Sequence, residues 1–185
     1  SAYRIDGRDE IVPALSRGGR ASFANAGTTR RVGLEFGASG DIGAHWRYVV
    51  AANWIDARFV DGYAFAVANG AQIETRIVDA GNRVPGIPRG DLFAELEWRS
   101  GDGRWSSALE SRMVGDIAVD DRNTDAAGAN ARFAWRARWR TGEHGWHAFL
   151  RIDNLFDSAY AGSVIVNEAN GRYYWTLPQC EFAPD

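Results

Sequence analysis

Residues 129–141 alternate strictly between apolar and charged side chains, and this pattern constrains the fold more than any other part of the chain. One set of alternate positions is apolar and the other carries arginines: Ala131, Phe133, Trp135, Ala137 and Trp139 in the first set, Arg132, Arg136, Arg138 and Arg140 in the second. A period of two places each set on its own face of a β-strand. The segment is therefore predicted to be a strand with one apolar and one charged face.

The same alternation recurs along the chain. It is clearest in residues 32–38, 44–58, 91–99, 105–113 and 146–153. No apolar run approaches the roughly 18 residues that a transmembrane helix needs. The pattern predicts an all-β, antiparallel chain of about eight strands.

The predicted connections differ in length in a regular way. Short turns at 39–43, 100–103 and 142–145 alternate with longer connections at 59–89, 120–128 and 158–171. Short turns thus lie at one end of the predicted sheet and long loops at the other. This asymmetry is typical of outer-membrane β-barrels, which have short periplasmic turns and long extracellular loops.

Strict alternation also fits a soluble ligand-binding β-barrel whose apolar face points inward. Three observations favour a transmembrane barrel. The predicted strands are long, and their apolar faces begin or end in tryptophans, as expected at the two bilayer interfaces; these are Trp46, Trp54, Trp98, Trp105, Trp139 and Trp146. Each arginine of residues 129–141 would cost roughly 2–4 kcal/mol if it faced the middle of a bilayer, so the arginines are predicted to face a lumen.

Composition and motifs argue against several other functions. All 21 basic residues are arginines, and the net charge of −3 disfavours binding to nucleic acid. The single cysteine, Cys180, excludes an intrachain disulfide. No catalytic constellation, metal site or cofactor motif stands out, so the protein is not predicted to be an enzyme. An outer-membrane barrel enzyme remains an alternative.

Three segments resemble one family. Asn154-Leu155-Phe156-Asp157 with Tyr160, followed by residues 163–168 and 171–173, resembles the last hairpin of TonB-dependent outer-membrane receptors. Residues 25–35 and 84–93 resemble recurring segments of the same barrels, in the same order. The resemblance implies structural roles for Asn154, Leu155, Phe156, Asp157 and Tyr160.

The resemblance also implies a function and a location. Such receptors are 22-stranded barrels with an internal plug, and they lie in the outer membrane of Gram-negative bacteria. They contact outer-membrane lipid and import scarce ligands such as ferric siderophores and similar small-molecule metal chelates, energised by the TonB complex. Residues 1–178 are expected to be the C-terminal portion of such a barrel, without the plug and the segment that contacts TonB.

The end of the sequence departs from the family pattern. Residues 175–185 contain two prolines and no period of two, and proline is poorly tolerated in paired strands. Residues 179–185 are therefore expected to be a tail outside the barrel, from a truncated or frame-shifted gene or a partial sequence.

Ligand contacts are expected in the long loops, by location alone. The candidates are Tyr63, Phe65, Gln72 and Arg83 in the first loop and Arg122 and Asn123 in the second. Arginines on the lumen side could attract anionic chelates, or they could pair with carboxylates of other strands. The carboxylates available for such pairing are Glu95, Glu97, Glu110, Asp116 and Asp153.

Overall fold

A computed structural model describes residues 1–17, 20–25, 27–69, 72–141, 145–161, 163–167 and 172–176. These residues contain fifteen strands. In chain order they are β1 Ala2–Arg8, β2 Ile11–Arg17, β3 Arg20–Asn25, β4 Thr28–Ile42, β5 Trp46–Phe59, β6 Tyr63–Asn69, β7 Gln72–Val78, β8 Gly90–Arg99, β9 Trp105–Val114, β10 Ile117–Ala118, β11 Ala126–Ala127, β12 Asn130–Arg140, β13 His147–Ile152, β14 Ser163–Asn167 and β15 Arg172–Thr176. Within the described ranges there is no helix long and apolar enough to cross a membrane.

Seven strands form one antiparallel sheet in the order β1-β4-β5-β8-β9-β12-β13. Each strand pairs with the next one of the sheet along the chain, and β1 and β13 are its edges, so the sheet does not close into a barrel. The all-β antiparallel prediction is confirmed, with seven strands in this sheet rather than about eight. Four two-stranded hairpins complete the fold: β2–β3, β6–β7, β10–β11 and β14–β15.

Connections between the strands of the main sheet alternate in length. Residues 43–45, 100–104 and 141–146 make short connections at one end of the sheet. Residues 9–27, 60–89 and 115–129 make long ones at the other end, and each contains one of the small hairpins. The predicted alternation is therefore confirmed up to β13, while the connection predicted at 158–171 lies partly outside the described residues.

One predicted boundary is wrong. The first turn was predicted at 39–43, but β4 continues to Ile42, which pairs with Trp46. Pro13 lies within β2, where the pairing with β3 shifts between Pro13 and Leu15, and a two-stranded hairpin tolerates proline at such an irregularity.

The sheet has one apolar face and one charged face. A row across five strands illustrates the apolar face, because Tyr48, Leu96, Leu109, Trp135 and Ile152 are successive cross-strand partners. Leucine and isoleucine side chains of this face remain two-fifths to one-half exposed. Such a continuous exposed apolar surface needs a partner other than water.

Aromatic residues bound this apolar face. Near the short connections Trp46 pairs with Trp98 across β5 and β8, and the rings of Trp105 and Trp139 lie 5.9 Å apart. Trp54 lies toward the other end of β5. The eight steps from Trp46 to Trp54 correspond to about 26 Å along the strand.

Beyond Trp54 the same face becomes charged. Arg4 and Arg30 both bind Asp6, at 2.9 and 2.7 Å, and Arg58 binds Asp56 at 2.8 Å. These pairs are well exposed and contribute little to stability. They mark the limit of the apolar band at the long-connection end.

Glycine opposite tyrosine recurs at two cross-strand positions. Tyr3 pairs with Gly33 and Tyr48 pairs with Gly40. A Cβ at Gly33 would lie 2.4 Å from the Tyr3 ring, and one at Gly40 would lie 3.1 Å from the Tyr48 ring. Each ring therefore covers a glycine backbone on the neighbouring strand, an arrangement that stabilises glycine in sheets.

Candidate functional site

An ion-pair network occupies the centre of the charged face. Glu95 and Glu110 are direct cross-strand partners on β8 and β9. Arg136 of β12 donates to both, at 2.7 Å to Glu95 and 2.9 Å to Glu110. Arg151 of β13 donates two further hydrogen bonds to Glu110, at 2.9 and 2.8 Å, and one to Asp153 at 2.8 Å. The network neutralises two facing carboxylates and ties four strands together.

Other arginines of this face have different partners. Arg99 binds Glu97 at 2.6 Å, and Arg140 donates to the carbonyl oxygen of Gly103 at 2.9 Å. Arg132 lies over the ring of Tyr160, 4.1 Å from its centroid. The arginines were predicted either to pair with carboxylates or to attract anionic chelates. Pairing with carboxylates is observed for some of them but not for all.

A small apolar cluster packs the long connection between β5 and β8. It consists of Phe59, Phe65 and Val78, all nearly inaccessible to solvent, with Tyr63 packed against it. Tyr63 makes an edge-to-face contact with Phe59 at 5.3 Å. The candidates Tyr63 and Phe65 therefore lie inside the fold of this connection, where they hold the β6–β7 hairpin against the end of β5.

Two other candidates, Arg83 and Asn123, lie in different long connections and bind each other. The Asn123 side chain accepts from the Arg83 amide at 2.7 Å and donates to the Arg83 carbonyl at 3.0 Å. The Arg83 guanidinium donates to the Asp116 carboxylate at 2.5 Å and is only 12% exposed. Asn123 has a positive φ of 55°, which asparagine tolerates better than most residues. These contacts join the 60–89 and 115–129 connections.

The loop of residues 120–125 carries two adjacent acids next to this contact. Asp120 is almost fully buried and hydrogen-bonds the amide and hydroxyl of Thr124. Burial raises the pKa of the Asp121 carboxyl above its ordinary value, a hydrogen bond with Tyr63 opposes the rise, and the charge of Asp120 adds to it. The Asp121 carboxyl thus joins the loop to Tyr63, the first residue of β6.

The remaining two candidates are accessible. Gln72 begins β7 and is exposed, and Arg122 is partly exposed. Neither packs in the apolar cluster. Asn123 is exposed as well, but its side-chain amide is already bound to Arg83, so Gln72 and Arg122 are the accessible candidates that do not join the two long connections.

The residues of the family-like motif form a compact turn after β13. Asn154 and Asp157 have φ values of 50° and 49°, and the Asn154 side chain accepts from the Ser158 amide at 3.0 Å and donates to its carbonyl at 3.2 Å. The Leu155 amide donates to the Phe133 carbonyl at 2.8 Å. The Phe156 ring packs edge-on against Phe133 at 5.2 Å. The motif therefore fastens the connection after β13 to β12 and places Tyr160 over Arg132.

The alternation of residues 105–113 and 129–141 places Arg112 and Arg132 on the charged face, but it does not predict that the two lie together. They are direct cross-strand partners on β9 and β12, and both line a cleft of ≈ 260 Å³ together with Tyr160. The register is what brings them together, and it cannot be read from either strand alone. Among the described residues, no group of three or more histidine, cysteine or acidic side chains is arranged to hold a metal ion.

Comparison with known proteins identifies the fold. Residues 1–155 match the family model described as TonB dependent receptor-like, beta-barrel. The chain is similar to the siderophore receptor PiuA from Acinetobacter baumannii, with 18% identity and a TM-score of 0.69 over 92% of this chain and 24% of that one.

Two further receptors resemble it to a similar degree. BauA, the ferric preacinetobactin receptor from Acinetobacter baumannii, has 17% identity and a TM-score of 0.59, over 86% of this chain and 23% of that one. The ferric-catecholate import receptor Fiu from E. coli K12 has 19% identity and a TM-score of 0.60, over 92% and 22%. At these identities the similarity shows the fold, and the chain spans about a quarter of the length of these receptors.

Proposed function

The chain belongs to the TonB-dependent receptor β-barrel family, and on this premise we propose that it forms part of the wall of an outer-membrane receptor for active import. Ferric siderophores or similar metal chelates are the proposed cargo. The proposed wall comprises residues 1–178, and the expected tail at 179–185 lies outside the residues that the structure describes. The TonB complex is the proposed source of energy for the complete receptor.

The observation that carries the proposal is the division of the sheet into two faces. The apolar face is exposed, bounded by tryptophans and free of arginine pairs until the rows beyond Trp54. It fits the hydrocarbon layer, whose apolar band on such barrels is about 25 Å tall. The charged face, with its ion-pair network, then lines the interior, where water and paired charges coexist.

The arrangement of connections agrees with this orientation. Long connections with hairpins of their own lie at one end and short ones at the other. On an outer-membrane barrel the long ones face the outside of the cell. Gln72 and Arg122 are accordingly the proposed first contacts for ligand, while Tyr63, Phe65, Arg83 and Asn123 support the loops that present them.

Neither alternative function has an observation in its favour. The family and the similar structures are receptors rather than enzymes. A soluble barrel would enclose the apolar face, and this would place the ion-pair network of β8, β9, β12 and β13 on the outside. Import is therefore proposed over both.

Spin labels at two neighbouring residues test the orientation. Leu150 belongs to the apolar face and Phe149 to the charged face, and both are more than half exposed. Each is replaced by cysteine in a Cys180→Ser background and labelled with a nitroxide in the membrane-inserted protein. The label at 150 is expected to collide with lipid-soluble oxygen, and the label at 149 with a water-soluble nickel chelate. Reversed preferences would refute the proposed wall.

An uptake assay tests the transport function. Cells that lack the protein are compared with complemented cells for accumulation of radioactive iron from catecholate, hydroxamate and carboxylate chelates. At least one chelate is expected to restore uptake, in a manner that depends on the proton gradient across the inner membrane. Equal uptake in both strains for every chelate class would remove import as the function.

A further inference from the structure

Arg112 and Arg132 form a like-charge pair that no carboxylate of the described residues neutralises. They face each other across β9 and β12, and like charges directly opposite on neighbouring strands are destabilising. Arg136 and Arg151, which pair with each other across β12 and β13 four residues further along β12, are each bound to carboxylates. Among the described residues, neither Arg112 nor Arg132 has a carboxylate partner.

Arg132 is held in a specific orientation despite this. Its guanidinium lies over the ring of Tyr160, and its Nε atom is shielded from solvent without a hydrogen-bond partner among the described residues. A buried donor left without an acceptor costs free energy. Within the described part of the chain, Arg132 is therefore a positioned cation whose Nε donor lacks an acceptor, and it lies next to a second cation.

The cleft around this pair contains further polar groups that are already engaged. Of its lining carboxylates, Glu110 is bound by Arg136 and Arg151, and Asp153 is bound by Arg151. The unpaired charge in the cleft is therefore positive. Its volume of ≈ 260 Å³ accommodates a group the size of a carboxylate or phosphate with part of the molecule attached.

We propose that Arg112 and Arg132 form an oxyanion-binding subsite on the charged face, which takes a carboxylate or phosphate group of a small dissolved ligand. Two guanidinium groups supply planar arrays of donors that match such oxygens. Arg112 is two residues from Val114, where β9 ends toward the long connections, so the subsite lies near the end that ligand enters. This role rests on the proposed import function and assigns its cargo an anionic group.

Citrate binding to the membrane-extracted protein tests the subsite without transport. Affinity is measured by calorimetry at constant ionic strength for the wild type, Arg112→Gln, Arg132→Gln and the control Arg104→Gln. Arg104 is an exposed arginine near the short-connection end that pairs loosely with Asp102. Loss of either subsite arginine is expected to weaken binding at least about tenfold, since charged hydrogen bonds are lost. The control variant is expected to bind citrate as the wild type does.

Three results would overturn the subsite: no citrate binding to the wild type, equal binding to all four proteins, or a large fall in the thermal midpoint of Arg112→Gln in anion-free buffer. The last would show that a carboxylate of the protein itself neutralises Arg112. Failure of iron uptake with intact citrate binding would count against import alone. Uptake without citrate binding would count against the subsite alone.

Discussion

Arg136 holds two carboxylates together, and its replacement should expose how much the charged face depends on it. Glu95 and Glu110 are opposite each other on β8 and β9, and their side chains are only 18% and 16% exposed. Arg136→Gln leaves Glu110 with Arg151 but removes the bond from Arg136 to Glu95 at 2.7 Å. Glu95 then faces the Glu110 carboxylate without an arginine between the two negative charges.

The size of the effect follows from these contacts. Each lost hydrogen bond to a charged group is worth about 1.5–3 kcal/mol, and removing one partner of a buried pair costs about 3–5 kcal/mol. Because the face is partly wetted and Arg151 still neutralises Glu110, we expect Arg136→Gln to lower the unfolding free energy by about 2–3 kcal/mol. Glu95→Gln in the same protein removes one of the two facing charges, and should recover more than half of that loss.

Guanidinium unfolding of the detergent-solubilised protein, followed by tryptophan fluorescence, measures the double-mutant cycle. The control is Arg138→Gln, since Arg138 lies two residues further along the same face of β12 and is exposed; a change within about 0.5 kcal/mol is expected there. If Arg136→Gln and Glu95→Gln prove additive, with each destabilising the protein independently, the proposed repulsion between Glu95 and Glu110 is refuted.

Substitutions in three other parts of the fold, two of them with matched controls, give separate tests. Gly33→Val should destabilise the edge pairing of β1 with β4 by about 1–3 kcal/mol, because its side chain would displace the Tyr3 ring, whereas Gly37→Val, where a Cβ meets nothing within 4 Å, should not; thermal unfolding compares them. Asn123→Ala should speed proteolysis of the long connections by removing their mutual hydrogen bonds, and Asn123→Asp, which keeps only the acceptor, should have a smaller effect. Because the folded-state pKa of Asp121 is raised, its charge costs stability at neutral pH and that cost vanishes as the pH falls through the folded pKa. Asp121→Asn should therefore raise the unfolding midpoint at neutral pH, and the gain should shrink as the pH approaches the ordinary carboxyl value of 3.8.

The sequence predicts the two faces of the strands better than the residues at which the strands end. The period of two in residues 130–140 is a local property, so it fixed the faces of β12 correctly. The end of β4 depends on a partner, because Ile42 stays extended only through its pairing with Trp46. Local turn signals at Ser39 and Gly40 could not reveal that pairing.

The loop candidates also depend on contacts with distant parts of the chain, which local sequence does not reveal. Tyr63 and Phe65 were chosen by their location in a long loop, yet Phe65 is buried with Phe59 and Val78, and Tyr63 packs against them. Position in a long loop does not distinguish an exposed aromatic residue that binds a ligand from a buried one that packs a hairpin. The charged pair of Arg112 and Arg132 was hidden for a related reason, since only the register of β9 on β12 brings the two together.

The difference in length between the two sets of connections determines where the sequence can gain or lose residues without disturbing the sheet. β5 and β8 remain paired from Trp46 to Trp54 although residues 60–89 separate them in sequence. Doubling the length of such a connection costs only about 0.6 kcal/mol in closure entropy. Insertions and deletions at the long-connection end are thus nearly neutral for the sheet, while a single residue added to a short connection would turn every side chain of a strand to the opposite face. Changes in the long connections can therefore accumulate while the pairing of the seven-stranded sheet stays the same.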